Sequence, residues 1–223
     1  MGEYRGAAFD LDGVIVDTAK YHFLAWQRLA RELGIEFTER DNERLKGVSR
    51  MRSLAILLEI GGLTRTEAEM QSLAETKNRW YVEYINGMDA SEILPGAREY
   101  LHLLRRRGIK TALCSASKNA GLILAKLQIA ELFDAVIDGN KATKAKPDPE
   151  IFLMGAAALG LDPGECVAFE DAAAGVEAAK RAGMYTIGVG DEEILKAADL
   201  VISGLHELLP EWPNRKRIPL GEP

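Results

Sequence analysis

The sequence predicts an α/β fold, a Rossmann-like parallel-sheet core with helices on both faces and an inserted all-helical segment. Three observations carry this. A short apolar run, YRGAAF (4–9), stops abruptly at Asp10. Residues 18 to about 90 then show helical periodicity alone. From Leu94-Pro95-Gly96 onward, strand-like apolar runs alternate with helical ones, the pattern of a parallel sheet covered by helices. The first run has the same buried character as the later strands and belongs with them. The expected organisation is a core built from residues 1–17 and 94–223, with a helical domain at 18–93.

Each element follows from local pattern. Over 18–34, Trp26, Leu29, Ala30 and Leu33 keep the i, i+3, i+4, i+7 stripe of a half-buried helix. Asp17 or Thr18 caps its start and Gly34 stops it. Further helices are expected at 39–46, 50–60 and 64–86, with Gly47, Gly61-Gly62 and Gly87 as punctuation. In the second half, helix 97–107 leads to strand 109–114, and helix 119–128 to strand 135–137. Helix 149–160 leads to strand 166–170, and helix 173–182 to strand 185–189. A short strand at 199–202 closes the series. The proline- and charge-rich end, PEWPNRKRIPLGEP, reads as a loose tail.

Composition excludes several function classes. The chain has 223 residues, 47% of them apolar, and a formal net charge of −6. It is too apolar and too balanced in charge to be natively disordered. An acidic chain repels phosphate backbones unless it concentrates its cations, so no nucleic-acid partner is expected. The densest basic run, Arg105-Arg106-Arg107, reads as a solvated last helical turn, where cations suit the helix dipole. Cys114 and Cys166 lie far apart in strand-like runs, which points to a reducing compartment. No apolar run approaches the ~18–20 residues that span a bilayer. A cytoplasmic protein that acts as a monomer, with no membrane contact, is the expectation.

Open α/β sheets bind ligands beyond the carboxyl ends of their strands. The first strand ends in Asp10-Leu11-Asp12-Gly13 and the second in Ser115-Ala116-Ser117-Lys118-Asn119. A polar loop after the third reaches Lys146-Pro147, and the fourth ends in Glu170-Asp171. That inventory suits phosphoryl transfer with Mg²⁺, which takes hard oxygen ligands. Asp10 and Asp171 offer carboxylate oxygens, and the Asp12 carbonyl a third. A carboxylate can attack phosphorus to form an aspartyl-phosphate. Ser115 and Lys146 suit the transferring oxygens, and Asp12 suits general acid/base work. Each element also has a plainer reading. Ser115 alone could cap a helix, Lys146 could be an ordinary loop residue, and Glu170-Asp171 could cap the helix near Ala173. Their joint fall at four strand ends favours one site.

These four motifs, in this order, resemble those of the haloacid dehalogenase superfamily, and the helical insert is similar to its C1 cap, which closes over the active site. A narrower resemblance, to the β-phosphoglucomutase family, rests on FDLDGVIVDTAKYHFLAW (9–26), LKGVSR (45–50), TKN (76–78), SASKN (115–119), AKPDPEIF (145–152) and FEDAAAGVEAAKRAG (169–183). It implies interconversion of β-D-glucose 1-phosphate and glucose 6-phosphate through a phospho-aspartate enzyme and β-glucose 1,6-bisphosphate. Asp10 is then the nucleophile and Asp12 the general acid/base. Asp10, Asp12 through its carbonyl, Glu170 and Asp171 hold Mg²⁺. Ser115, Ala116 and Lys146 clamp the transferring phosphoryl group. The resemblance assigns Arg50, Ser117, Lys118 and Asn119 to the other phosphate. It adds Thr18, His22, Trp26, Lys46, Gly47, Val48, Ser49, Ser53 and Lys77 as further substrate-binding positions.

The insert residues carry plainer readings too. On pattern alone His22 shares the stripe of Trp26 and reads as a packed histidine, and Lys77 reads as a solvated helix charge. Two departures from the family pattern stand out: Met51-Arg52 beside Arg50, and the basic loop DGNKATKA (138–145), either of which could shift sugar preference. The alternative function is a Mg²⁺-dependent sugar-phosphate phosphatase of the same superfamily, with water as the final acceptor.

Overall fold

A computed structural model describes residues 4–45 and 48–210. Lys46, Gly47 and the tail from residue 211 lie outside the described residues. The chain divides into two compact units, Met1–Asp17 with Asp89–Pro223, and Thr18–Met88.

The first unit is α/β. Its strands are β1 (Gly6–Phe9), β2 (Lys110–Cys114), β3 (Ala135–Ile137), β4 (Cys166–Glu170), β5 (Tyr185–Val189) and β6 (Leu200–Ile202). They form one sheet in the order β3-β2-β1-β4-β5-β6. Every pairing is parallel. The order reverses around β1, which makes its carboxyl end a switch point where ligands bind. Alternation along the strands sorts the two faces. Ala8, Ala112, Cys114, Cys166 and Ala168 share a core cluster with residues of α7 (Glu150–Leu159) and α8 (Ala173–Arg181). These small side chains let α7 approach closely: a Cβ on Gly155 would lie 2.5 Å from Cys114 Sγ. The opposite face carries bulk. Phe9 stacks on Phe169 at 4.5 Å and meets Tyr100 edge-on from α5 (Ala97–Arg106). Helix α6 (Ala120–Leu127) follows β2. Where the chain leaves and re-enters this unit, Ile93 bridges Val16 and the Leu94 N–H donates to the Ile15 carbonyl.

The second unit has four α-helices among its described residues: α1 (Ala19–Glu32), α2 (Glu39–Glu43), α3 (Arg50–Ile60) and α4 (Glu67–Ile85). Thr18 is the N-cap of α1, though its side chain makes no cap bond, and Gly34 follows the helix with φ +70°. Two helices start or stop inside the expected ranges for physical reasons. Helix α4 begins at Glu67, not 64, because Thr66 and Glu69 form a reciprocal capping box. Helix α2 has the same box, Thr38 with Asp41, but ends at Glu43. A helix absent from the sequence reading, α9 (Glu192–Leu195), is capped by the Asp191 carboxylate accepting from the Glu193 N–H. One turn is too short to show periodicity.

Both cysteines are buried and unpaired. Arg105 and Arg106 close α5, and Arg105 donates to the Glu131 carbonyl at 2.9 Å. No helix among the described residues is long and apolar enough to cross a membrane.

Candidate active site

The site of the α/β unit is built from strand ends. The Asp10 N–H donates to the Phe169 carbonyl at 2.9 Å, which continues the β1–β4 ladder by one residue and fixes Asp10 beside Glu170. Asp10, Glu170 and Asp171 each present a carboxylate oxygen within 4.8 Å of the others. Asp10 and Glu170 are buried, Glu170 to 1% exposure. Lys146 reaches in from the loop before α7. Its Nζ donates to Asp10 Oδ1 at 2.6 Å, to Glu170 Oε1, and to the Cys114 carbonyl at 3.3 Å. The Phe152 ring lies 5.2 Å below the ammonium. The Lys146–Pro147 peptide bond is cis.

The electrostatics follow from this crowding. Burial raises the Glu170 carboxyl above its ordinary range, and Asp10 repels its charge while Lys146 offsets part of the effect. Burial likewise raises Asp171, reinforced by Asp10, Glu170 and Asp12. Lys146 is pushed up by the two carboxylates against the opposing effect of burial. Three carboxylates and one ammonium leave surplus negative charge, all of it on hard oxygen donors. The donor set therefore fits a divalent cation such as Mg²⁺.

Two glycines make the room. A Cβ on Gly13 would overlap the Asp171 carboxylate, and one on Gly175 would overlap that of Glu170. Gly13 also has φ +73°, and its N–H donates to the Val16 carbonyl at 2.8 Å. Ala172 is the N-cap of α8, and its backbone N–H donates to the Glu170 carboxylate. Asp12 lies in the turn after β1 and bridges Val16.

Ser115 is buried, and its N–H donates to the Ile137 carbonyl at the end of β3. It does not cap α6, whose N-cap is Asn119. Instead the Ser117 N–H donates to Ser115 Oγ at 3.1 Å, and the Asn119 N–H to Ser117 Oγ at 3.2 Å. Ala116 and Lys118 are exposed on this loop. The two lysines of the basic loop and the lysine that follows it have separate fates. Lys141 folds back onto the Val136 carbonyl at 2.6 Å, Lys144 lies 3.5 Å from Asp148, and Lys146 enters the carboxylate cluster.

The helical unit holds a second polar cluster. Lys77 is 2% exposed, with its Nζ 2.8 Å from His22 Nδ1. The Trp26 and Tyr81 rings flank the same ammonium at 4.5 and 4.7 Å. His22 stacks on Tyr81 with centroids 4.1 Å apart. Burial, then the charges of Lys77 and Arg50, hold the His22 imidazole well below its usual pKa. Lys77 is thus no solvated helix charge. Ser49 caps α3 by accepting the Arg52 N–H at 3.3 Å, Arg50 is half-buried, and Ser53 and Thr18 are buried. Val48 is partly exposed.

Sequence reasoning missed Gly175 and Phe152, which carry no chemistry but shape the cluster. The glycine two residues into α8 was the available signal, since glycine in a helix costs about 1 kcal/mol without a packing reason.

Comparison with known proteins identifies the family. The family model for haloacid dehalogenase-like hydrolases matches residues 4–183. A β-phosphoglucomutase of Bacillus subtilis is 44% identical over 96% of this chain and 100% of its own length. A phosphorylated carbohydrates phosphatase of Thermotoga maritima is 34% identical over 80% of this chain and 82% of its own. The crystal structure of a Clostridium difficile β-phosphoglucomutase superimposes with a TM-score of 0.89 at 44% identity, covering 93% of this chain and 94% of that one. With a buried aspartate, its partner carboxylates and a lysine gathered at the switch point of a six-stranded sheet, the chain belongs to the haloacid dehalogenase-like hydrolase family.

Proposed function

We propose that the chain is a β-phosphoglucomutase, interconverting β-D-glucose 1-phosphate and glucose 6-phosphate. The observation that carries the mutase reading is the 44% identity to the Bacillus subtilis enzyme over that protein's whole length. The site chemistry supports the phosphoryl-transfer step. The cycle starts from phospho-Asp10. In the first half, Asp12 takes the proton of the free sugar hydroxyl as that oxygen attacks phosphorus and the P–O bond to Asp10 breaks, which gives β-glucose 1,6-bisphosphate. In the second half, an Asp10 carboxylate oxygen bonds the other phosphorus as its P–O bond to the sugar breaks, and Asp12 returns the proton to the departing sugar oxygen, which restores phospho-Asp10. Mg²⁺, held by Asp10, Glu170, Asp171 and the Asp12 carbonyl, would supply positive charge against the anionic phosphoryl group.

Ser115, the Ala116 N–H and Lys146 grip the transferring group, while Ser117, Lys118 and Asn119 hold the other phosphate. Arg50 serves that second phosphate too. His22, Lys77, Thr18, Trp26, Lys46, Gly47, Val48, Ser49 and Ser53 complete the substrate-binding set in this reading. The protein acts on small sugar phosphates as a cytoplasmic monomer, and two buried free thiols fit a reducing compartment.

Phosphorus NMR tests the reading directly. With Mg²⁺, β-glucose 1-phosphate and a trace of β-glucose 1,6-bisphosphate, a glucose 6-phosphate signal should grow without inorganic phosphate. Inorganic phosphate as the main product would make the protein a sugar-phosphate phosphatase instead.

A further inference from the structure

The first residues of the loop between β3 and α7, Asp138 to Asn140, have no part in the chemistry above, yet they are tied to the phosphate loop after β2. Asp138 opens it. The Asp138 carboxylate accepts the Asn140 N–H at 3.0 Å and the Asn140 side-chain amide at 3.0 Å. The same amide donates to the Lys118 carbonyl at 3.0 Å. Both partners are acceptors, so the nitrogen of the Asn140 amide must face them, and its two hydrogens are both used. One residue earlier, the Gly139 N–H donates to the Ser117 carbonyl at 3.2 Å. Gly139 also lies flat against the phosphate loop. A Cβ there would overlap the Ala116 carbonyl and come within 3.2 Å of Lys118 Cγ. Its backbone φ is ordinary, so the glycine is required for space and not for conformation.

We propose that Asp138-Gly139-Asn140 is a clamp that sets the shape of residues 117–119, with Gly139 and Asn140 as positioning residues for the substrate's non-transferring phosphate. The clamp grips the carbonyls of Ser117 and Lys118, which turns the N–H groups and side chains of 117–119 to a fixed side of the loop. Ser115 and Lys146 have anchors of their own, the β3 end and the carboxylates, although Ser115 Oγ also accepts the Ser117 N–H. The clamp's hydrogen bonds fall on the carbonyls of Ser117 and Lys118, so it acts first on the second phosphate. This inference rests on the phosphate-binding role given to 117–119 above.

The test is Asn140→Ala, with Gly139→Ala as a second variant acting through steric overlap. Losing two exposed hydrogen bonds should raise KM for β-glucose 1-phosphate roughly 3- to 10-fold. The kcat should stay within about twofold, because a uniform grip on a remote group sets binding and not the chemical step. Hydrolysis of a small aryl phosphate, which has no second phosphate, should be unchanged. Gly139→Ala should move KM the same way and further, and its Cβ also presses on the Ala116 carbonyl, so only its KM is read. An unchanged KM in both variants, or equal losses on both substrates in Asn140→Ala, overturns the clamp. Thermal melts identify a variant that merely unfolds. If the wild-type protein turns over no sugar phosphate, the functional reading has failed on its own. Amide NMR shifts of Ser117 and Asn119 in Asn140→Ala then decide the clamp: displaced signals support it and unmoved ones overturn it.

Discussion

The α/β unit and the helical unit each bury a lysine, and they hold it by opposite means. Lys146 sits between two carboxylates, Asp10 and Glu170. Lys77 sits between two aromatic rings, Trp26 and Tyr81, with His22 Nδ1 beside it. In the first case opposite charge compensates desolvation. In the second, ring quadrupoles and a neutral imidazole contribute. The first cluster concentrates charge where a phosphoryl group and a cation are to be handled. The second surrounds its ammonium with ring faces and an imidazole.

The comparison can be broken in order of effect. The largest is Asp10→Asn, which removes the proposed nucleophile. Phosphoryl transfer followed by NMR should fall by roughly 10³-fold or more; a variant keeping a tenth of the activity would mean another group attacks phosphorus.

Next come the two lysines, measured by denaturant unfolding without Mg²⁺. Lys146→Met leaves buried carboxylates unpaired and should cost about 3–5 kcal/mol. Lys77→Met puts a thioether against two rings and should change stability by no more than about 1 kcal/mol. Equal losses would show that the two cages are energetically alike.

Gly175→Ala is subtler. Its new Cβ must displace the Glu170 carboxylate. Calorimetric titration should show Mg²⁺ binding weakened about 10- to 100-fold with the fold intact by circular dichroism. Unaltered affinity would remove Glu170 from the metal site.

The smallest effect concerns His22. Its pKa is lowered in the folded protein, so below about 6.5 the unfolded chain binds a proton that the buried ring refuses. Stability is therefore complete above pH 6.5 and declines as pH falls through the window beneath it, by at most about 1.4 kcal/mol per pH unit. His22→Gln should flatten that slope. An identical slope in the variant would assign the acid sensitivity elsewhere.

Much of the α/β unit is legible because its signals are local. Parallel strands buried on both faces read as short apolar runs, and each run ends in the residues it delivers to the site. Asp10, Ser115 and Glu170-Asp171 could be placed from strand ends alone. Lys146 could be placed only as a loop residue; its insertion between two carboxylates is a long-range event. The helical unit hides more. His22 and Trp26 are one turn apart on α1, and Lys77 and Tyr81 one turn apart on α4. Either pair can be read from spacing, but nothing in the spacing says that they face each other. The basic loop shows the same limit: its composition does not say that Lys141 donates to the Val136 carbonyl or that Lys144 lies beside Asp148.

The sequence by itself determined the element order, the break in character where the helical insert ends, and the chemical types gathered at the strand ends. Periodicity and capping are properties of neighbours in the chain, so they survive in one dimension. Only the tertiary structure decided how those types are paired: which carboxylates share Lys146, which glycines yield space to Asp171 and Glu170, and which turn holds the Ser117 and Lys118 carbonyls. Those outcomes depend on steric room and desolvation, which exist only once distant segments are packed against one another.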